Sequence, residues 1–538
     1  MASGCRQRLI APWLWPGLLT AVLLLILFIT LLSVLGRQAT SLDWTHWWHD
    51  PYWCGVIRFT LQQALLSTLL SLLPAIPVAQ ALARRRFWGR RWLLQLLSLS
   101  SALPAVVVIF GLMTLYGRQG WLARLGAWVG ISYSSSLYGL HGLVLVHVFF
   151  NLPLATRWLL QTLSTLPQAH YRLAQQLGMS AHQRFRWLEW PRLRWQLCSM
   201  AGLIFSLCFN SFTSGLILGG GPQATPLAVA IYQSFTEEGS FGQVLPLVLL
   251  QISCCLGIYA VGQRLAESHP AIMMTDLEPY WARDPQDNGY RRCWDGIWIL
   301  GLLLLLLPLL AVVIQGCNRM LFQALAQPHL WRALGCSLSL GGCAALLAVT
   351  LAYSLLWSSS RLQQRHALRY SRGLLLSGIL ISLLPPLVLA TTLLHLFHAI
   401  DIPGVIWGLI GVINGLIALP YALKILTIPL YDVVGQSDQL CQGLGIQGFN
   451  RWRLIDGPLL CRPLALALAV TTVLSLGEVG IIALFGQEVG TTLALYLYQQ
   501  LGAYRGDEAA VTALLLLLCC WGLLRVSEAL SHRHVTVN

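Results

Sequence analysis

A chain of 538 residues with 56% hydrophobic and only 10% charged side chains cannot cover a water-exposed surface, which needs roughly 25% charge. Its net charge of +14 does not call for a nucleic-acid partner, because polytopic membrane proteins collect Arg and Lys in their cytoplasmic loops. Composition excludes a soluble globular domain and points to an all-α polytopic membrane protein.

Arg6 and Arg8 precede the apolar run Pro16 to Leu35, and no small-residue cleavage site follows it. The run therefore reads as an uncleaved first span with the N-terminus inside. Apolar stretches near the roughly 20 residues that a crossing helix needs place about twelve transmembrane helices. Their ranges are 13–35, 56–82, 92–116, 137–163, 197–218 and 241–265, then 294–316, 333–357, 374–398, 406–428, 460–485 and 508–530. On this topology the inner loops carry Arg84-Arg85-Arg86, Arg90-Arg91, Arg184, Arg186, Arg192 and Arg194. They also carry Arg361, Arg365, Arg369, Arg372, Arg451 and Arg453. The outer side keeps only Arg37, Arg58, Arg118, Arg124, Arg319, Arg332 and Arg505 of the 34 basic residues. That asymmetry supports the orientation and puts both termini in the cytoplasm.

Residues 266–293, with Asp276, Glu278, Arg283, Asp284, Asp287, Arg291 and Arg292 and prolines at 270, 279 and 285, read as a cytoplasmic linker, since repeated prolines break a helix. It joins residues 1–265 to 294–538. An even number of spans in each half makes the halves two parallel six-helix repeats.

The halves echo each other at a constant offset of 267 residues. The polar stretch Tyr171 to Pro191 falls on Gln439 to Pro458: Leu173 on Leu440, Leu177-Gly178 on Leu444-Gly445, Arg186 on Arg453, Glu189 on Asp456 and Pro191 on Pro458. Upstream, Leu152 to Ala155 falls on Leu419 to Ala422 and Arg157 on Lys424. With a one-residue shift, Tyr232-Gln233 meets Tyr498-Gln499. In each loop a short helix ends at a glycine in the left-handed conformation, and a second helical stretch runs to a proline that restarts the span.

Two such loops suggest a duplicated docking surface. Ala174, Gly178, Met179, Phe185, Trp187 and Pro191 would form one, and Gly445, Ile446, Phe449, Trp452 and Pro458 the other. Arg184, Arg186, Arg451 and Arg453 would meet the partner's rim. The alternative for the aromatic residues is the lipid interface, where Trp is common.

Polar groups also sit inside the apolar spans. An ionised carboxylate at mid-membrane costs about 2.5–3.5 kcal/mol, so Glu478, within Ser475 to Gly480, needs a role. It either faces the translocation path and attracts a cation, or serves as a gate or packing contact bonded to backbone. Asn210 and Ser211 occupy the corresponding place in the first half, and His147 and Asn151 lie opposite Asn414 and Ala418. His395 and His398 near the outer end of span nine lack the spacing of a metal site. The run Gly219-Gly220-Gly221-Pro222 reads as an outer turn able to touch a binding protein. The 14 cysteines contain no C-x-x-C pair, so neither a metal site nor a redox motif is indicated.

Both loops resemble the signature of ABC importer permeases, Glu-Ala-Ala, three residues, Gly, nine residues, Ile, one residue, Leu, Pro. Arg172-Leu173-Ala174 leads to Gly178, Leu188 and Pro191, and Gln439-Leu440-Cys441 leads to Gly445, Ile455 and Pro458. The signature Glu is missing from both. Over nearly its whole length the chain is similar to the fused two-domain permeases of bacterial thiamine importers. YGRQGWLA at 116–123, HVFFNLP at 147–153, LGGGPQATPLAVAIYQ at 218–233 and LPYALKIL at 419–426 carry that similarity.

The resemblance implies the type I ABC importer permease fold in a bacterial inner membrane. It implies thiamine or its phosphate esters as substrate, no cofactor, and two kinds of partner: two copies of a cytoplasmic ABC ATPase and a periplasmic substrate-binding protein. Ferric-iron permeases share the layout and are the alternative. A proton-coupled transporter of the major facilitator class also has twelve spans, and Arg86 to Arg91 is weakly similar to its signature loop. Independently of any resemblance, a P-loop needs Gly-Lys-Ser/Thr, and the one lysine is Lys424, flanked by Leu423 and Ile425. If ATP drives transport, another chain hydrolyses it.

Overall fold

A computed structural model of the chain describes residues 12–38, 50–130, 137–164, 166–219, 221, 224–236, 241–266, 289–381, 384–397, 405–446, 448–485 and 490–533. Most of the expected linker, Gly220, Pro222 and His398 lie outside the described residues.

The regular elements among the described residues are helical. The first twelve helices are α1 (Trp15–Gln38), α2 (Pro51–Arg84), α3 (Arg90–Ser100), α4 (Ala105–Tyr116), α5 (Trp121–Trp128), α6 (Leu140–Ser164), α7 (Gln168–Gln176), α8 (Ala181–Arg184), α9 (Trp190–Phe209), α10 (Thr213–Leu218), α11 (Leu227–Thr236) and α12 (Phe241–Ala266). Next come α13 (Gly289–Leu305), which begins within the expected linker, α14 (Leu307–Gly316), α15 (Leu321–Ala326), α16 (Pro328–Gln364), α17 (Leu368–Leu380), α18 (Pro386–Phe397), α19 (Val405–Gly443), α20 (Gly448–Arg451), α21 (Gly457–Leu476), α22 (Gly480–Phe485), α23 (Leu493–Gly502) and α24 (Gly506–Arg533).

Nine helical stretches among the described residues are long and apolar enough to cross a membrane. They cover nine of the twelve expected spans, the third moved from 92–116 to Ala105–Trp128 because the expected stretch is interrupted before Pro104, between α3 and α4. The other three expected spans are built differently. The stretch 374–398 is interrupted before Pro385-Pro386, so that α17 and α18 are separate. Proline removes a helix donor and its ring clashes with the preceding turn, and it pushes the residue before it out of the helical region. The stretch 197–218 breaks without proline, at Asn210–Phe212, into α9 and α10. Its echo breaks at the corresponding place, Gly477–Val479, into α21 and α22. The stretch 241–265 is the single helix α12, with a shorter apolar core at Leu245–Ile258.

The chain forms two compact units, which interleave in sequence. One comprises residues 43–233 and 253–318. Here α2 packs on α6, α9 and α13, and α14 packs on α4. The face of α2 that enters this core carries Thr60, Gln63, Ser67 and Ser71 with Ala64 and Ala75, all buried. Small side chains let helix axes approach, which is how membrane helices gain packing energy without a hydrophobic driving force between them. At the C-terminal end of α2, Asp295 of α13 is buried and accepts from Arg85 Nε at 2.7 Å, with Arg84 at 3.9 Å.

The other unit comprises residues 1–42, 234–252 and 319–538. Its centre is α16, which packs on α19, α21, α17 and α1 through Ala344, Ala345, Ala348 and Ala352. The first span thus docks on α16, where Thr20 and Ser354 share a hydrogen bond of 2.7 Å.

One local device appears in both units. The amide that starts α11, Leu227 N–H, donates to Thr60 Oγ1 of α2 at 2.9 Å. The amide that starts α23, Leu493 N–H, donates to Ser337 Oγ of α16 at 2.7 Å. Each hydroxyl satisfies one of the amides that a helix N-terminus leaves without an intrahelical partner.

Candidate functional site

The two loops repeat in backbone geometry as they do in sequence. Helix α7 ends in a Schellman turn, with Met179 N–H donating to Ala174 C=O at 3.0 Å and Gly178 at φ +65°. Helix α19 ends alike, with Ile446 N–H donating to Cys441 C=O at 2.9 Å and Gly445 at φ +65°. This left-handed region is open to glycine and costly for residues with a Cβ.

A four-residue helix follows in each loop, α8 or α20, and then a five-residue π turn, Phe185–Glu189 or Trp452–Asp456. In these turns Trp190 N–H reaches back five residues to Phe185 C=O, and Gly457 N–H to Trp452 C=O. The cause is the next residue. Pro191 and Pro458 stand in the first turn of α9 and α21, and a widened turn makes room for a ring that would strike the carbonyl four residues back. The first loop adds a capping box, in which Ser180 Oγ accepts from Gln183 N–H at 3.3 Å and Gln183 Oε1 accepts from Ser180 N–H at 2.8 Å.

The residues expected to dock divide by exposure. Ala174 and its counterpart Cys441 are buried and seat the helix ends. Met179, Phe185, Pro191 and Ile446 are half-buried, and the Phe185 ring lies 5.8 Å from that of Trp190. Arg186 and Arg453 are exposed, as are Trp452 and Pro458, and Arg186 lies over the Trp187 ring at 5.6 Å. The Phe449 side chain lies outside the described residues.

The most outward apolar groups of the loops are Trp187, 67% exposed, and Leu177 and Leu444, each 64% exposed, and Leu173, Leu440 and Leu454 are exposed as well. The leucines had no part in the expected docking set. Their signal was present as a leucine directly before each glycine and another four residues earlier.

Arg184 and Arg451 are buried rather than presented at a rim. Arg451 Nη1 donates to Asp438 at 2.6 Å and its Nε to Asp456 at 3.0 Å. Burial alone would pull the guanidinium down. Its bonds to these two carboxylates overcome that and hold it above its ordinary value, as opposite charge at contact distance does.

The intramembrane residues form local clusters. His147 Nδ1 and Ser67 Oγ share a hydrogen bond of 3.1 Å, Asn151 Nδ2 donates to Cys208 Sγ at 3.2 Å, and Gln63 Nε2 donates to Cys208 C=O at 2.9 Å. Asn210 donates to Ser206 C=O at 3.0 Å and to Cys255 Sγ at 3.3 Å, and Ser211 Oγ donates to Ser214 Oγ at 2.9 Å. In the other unit Asn414 Nδ2 donates to Ser475 Oγ at 2.9 Å. Glu478, within the helix break, accepts from Gly480 N–H at 3.2 Å.

Gln63, Ser67, Cys208 and Ser475 had not been singled out. The polar stripe Thr60-Gln63-Ser67-Ser71 at helical spacing would have marked the first two. No group of three or more metal-ligating side chains occurs among the described residues.

Residues 67–268, which contain the first loop, match the family described as binding-protein-dependent transport system inner membrane component. Among curated proteins, the thiamine transport system permease protein ThiP of Salmonella typhimurium is 46% identical over 536 residues, covering 99% of each chain. ThiP of Escherichia coli is 46% identical over 535 residues, again 99% of each. ThiP of Haemophilus influenzae is 39% identical over 491 residues, 91% of each. The chain belongs to this family of membrane permeases. A more distant similarity, 26% over 208 residues, links the permease to the sulfate transport system permease protein CysW of Synechocystis. The stretch shared with that protein is shorter than the stretch shared with the ThiP proteins. The permease has the all-helical, multiply spanning architecture expected of such an inner-membrane subunit.

Proposed function

We propose that this permease carries thiamine across a bacterial inner membrane as the membrane subunit of an ABC importer. It receives the substrate from a periplasmic binding protein and draws on two copies of a cytoplasmic ATPase. The observation that carries the substrate is 46% identity across 99% of both chains with proteins named for thiamine transport. Loops common to such importers hold no information about what is carried.

In this reading residues 1–265 and 294–538 are two six-span repeats joined by a cytoplasmic linker, and the termini face the cytoplasm. The loops at 171–191 and 439–458 are the sockets for the ATPases. Support comes from the repeated glycine conformation at Gly178 and Gly445 and from the apolar groups presented beside it. Each loop runs directly into a twenty-residue helix, α9 or α21. A displacement of the loop on nucleotide binding is therefore passed along a continuous helix, giving alternating access.

His147, Asn151, Asn210 and Ser211 serve the path in one repeat, and Asn414 and Glu478 in the other. Gln63 Oε1, His147 Nε2 and Asn414 Oδ1 are buried without a hydrogen-bond partner, which leaves polar capacity inside the helices at the level of the breaks. The Glu478 carboxylate, bonded to the Gly480 amide, acts there as a gate contact.

The test is reconstitution of the permease with its ATPase in lipid vesicles. ATP hydrolysis should rise with thiamine-loaded binding protein. A rise only with a ferric-loaded binding protein would replace thiamine by iron.

A further inference from the structure

The two loops share a backbone and differ in their bracing. In the second, Asp438 near the end of α19 accepts from Arg451 at the end of α20 at 2.6 Å and from Arg361 near the end of α16. Arg451 reaches on to Asp456 of the π turn at 3.0 Å and to Ser437 Oγ at 3.3 Å. The Trp357 ring lies beneath both guanidinium groups, 4.9 Å from Arg361 and 5.4 Å from Arg451. Four charges of alternating sign, Arg361, Asp438, Arg451 and Asp456, thus connect α16, α19, α20 and the start of α21.

The first loop has no carboxylate at the hub. Tyr171 stands where the 267-residue offset places Asp438, and Glu189, the counterpart of Asp456, instead accepts from Gln80 Nε2 of α2 at 2.5 Å. A charge-assisted network that is mostly withdrawn from water is strong and directional.

We propose that Asp438 is the positioning residue through which the second loop moves α16 and α21 together. The inference rests on the reading of the loops as ATPase sockets. It adds that one carboxylate, which has no counterpart at Tyr171 in the first loop, ties the second socket to these helices. Asp438 itself touches neither nucleotide nor substrate. It fixes the angle between the loop helix and the spans by holding both arginines at once.

The experiment uses the full permease co-expressed with its ATPase and reconstituted with binding protein and thiamine, and reads thiamine imported per ATP hydrolysed. With Asp438→Asn, co-purification of the ATPase and basal hydrolysis should be retained, while import per ATP falls about tenfold, the scale of a lost hydrogen bond between charged groups. Asp438→Glu should restore most of the ratio. Tyr171→Phe in the first loop should change it by less than about twofold.

A second variant, Arg361→Gln, leaves the Asp438–Arg451–Asp456 contacts in place and removes only the tie to α16. It should lower the ratio without altering elution of the complex in detergent. An unchanged ratio in both Asp438→Asn and Arg361→Gln, or import and hydrolysis falling in proportion, would overturn the proposal and leave the sockets standing. Failure of the unmodified permease to co-purify with the ATPase would instead remove the socket reading, and this inference with it.

Discussion

The amide of Gly17 donates to Ser358 Oγ at 3.0 Å, and the same hydroxyl donates to Trp13 C=O at 3.1 Å. One side chain of α16 thus holds the entry of the first span, more than three hundred residues away in sequence. A Cβ placed on Gly17 would lie 2.5 Å from Ser358 Cβ, so only glycine permits the approach.

Gly17→Val should therefore separate α1 from α16. Overpacking a tight contact costs about 1–3 kcal/mol, and the variant should unfold at lower temperature in detergent than the unmodified permease. Ser358→Ala removes the bonds without the clash and should cost less.

Gly178 and Gly445 adopt the same left-handed conformation, and a Cβ added at either would meet no heavy atom within 4 Å. The obstacle to substitution is therefore the backbone alone. A β-branched residue there carries a conformational penalty of roughly 1–2 kcal/mol, and Asn tolerates the region far better. The double variant Gly178→Val with Gly445→Val should lose co-purification with the ATPase, whereas the corresponding Asn pair should keep it. Equal behaviour of the two pairs would remove backbone conformation as the cause.

Thr60 and Ser337 each supply a hydroxyl to the first amide of a helix. Thr60→Val and Ser337→Ala should each destabilise by about 1 kcal/mol, the usual worth of a side-chain cap. Similar losses in chemical unfolding of the two variants would establish that the device is equivalent in both units.

Asp295 is buried while its arginine partners keep part of their surface in solvent. Asp295→Ala should cost about 1–3 kcal/mol, less than breaking a fully buried pair, because Arg84 and Arg85 can turn toward water. The measurement is the midpoint of thermal unfolding, and raising the salt concentration should narrow the gap between variant and unmodified permease.

Much of this was legible in one dimension. The apolar runs mark most of the spans, and the recurring Leu-Gly and Pro positions mark both loops. The breaks in the stretches 92–116 and 374–398 were also written in the chain, as Pro104 and Pro385-Pro386, but hydropathy summed over a window does not register a lost turn. The break at Asn210–Phe212 has no such mark, and its polar groups are satisfied by Cys255, Ser206 and Ser214, partners set by packing and by the local turn.

By itself the sequence determined the membrane class, the duplication and the position of the two loops, because burial in lipid and the conformational demands of Gly and Pro act residue by residue. Which charges meet was decided only by the tertiary structure. Arg451 looks like a rim cation when read along the loop. It becomes the centre of a brace because α16 and α19 bring Arg361 and Asp438 beside it. An ion pair depends on a distance of a few ångströms between groups that can lie far apart in sequence, and only the packing of the helices sets that distance.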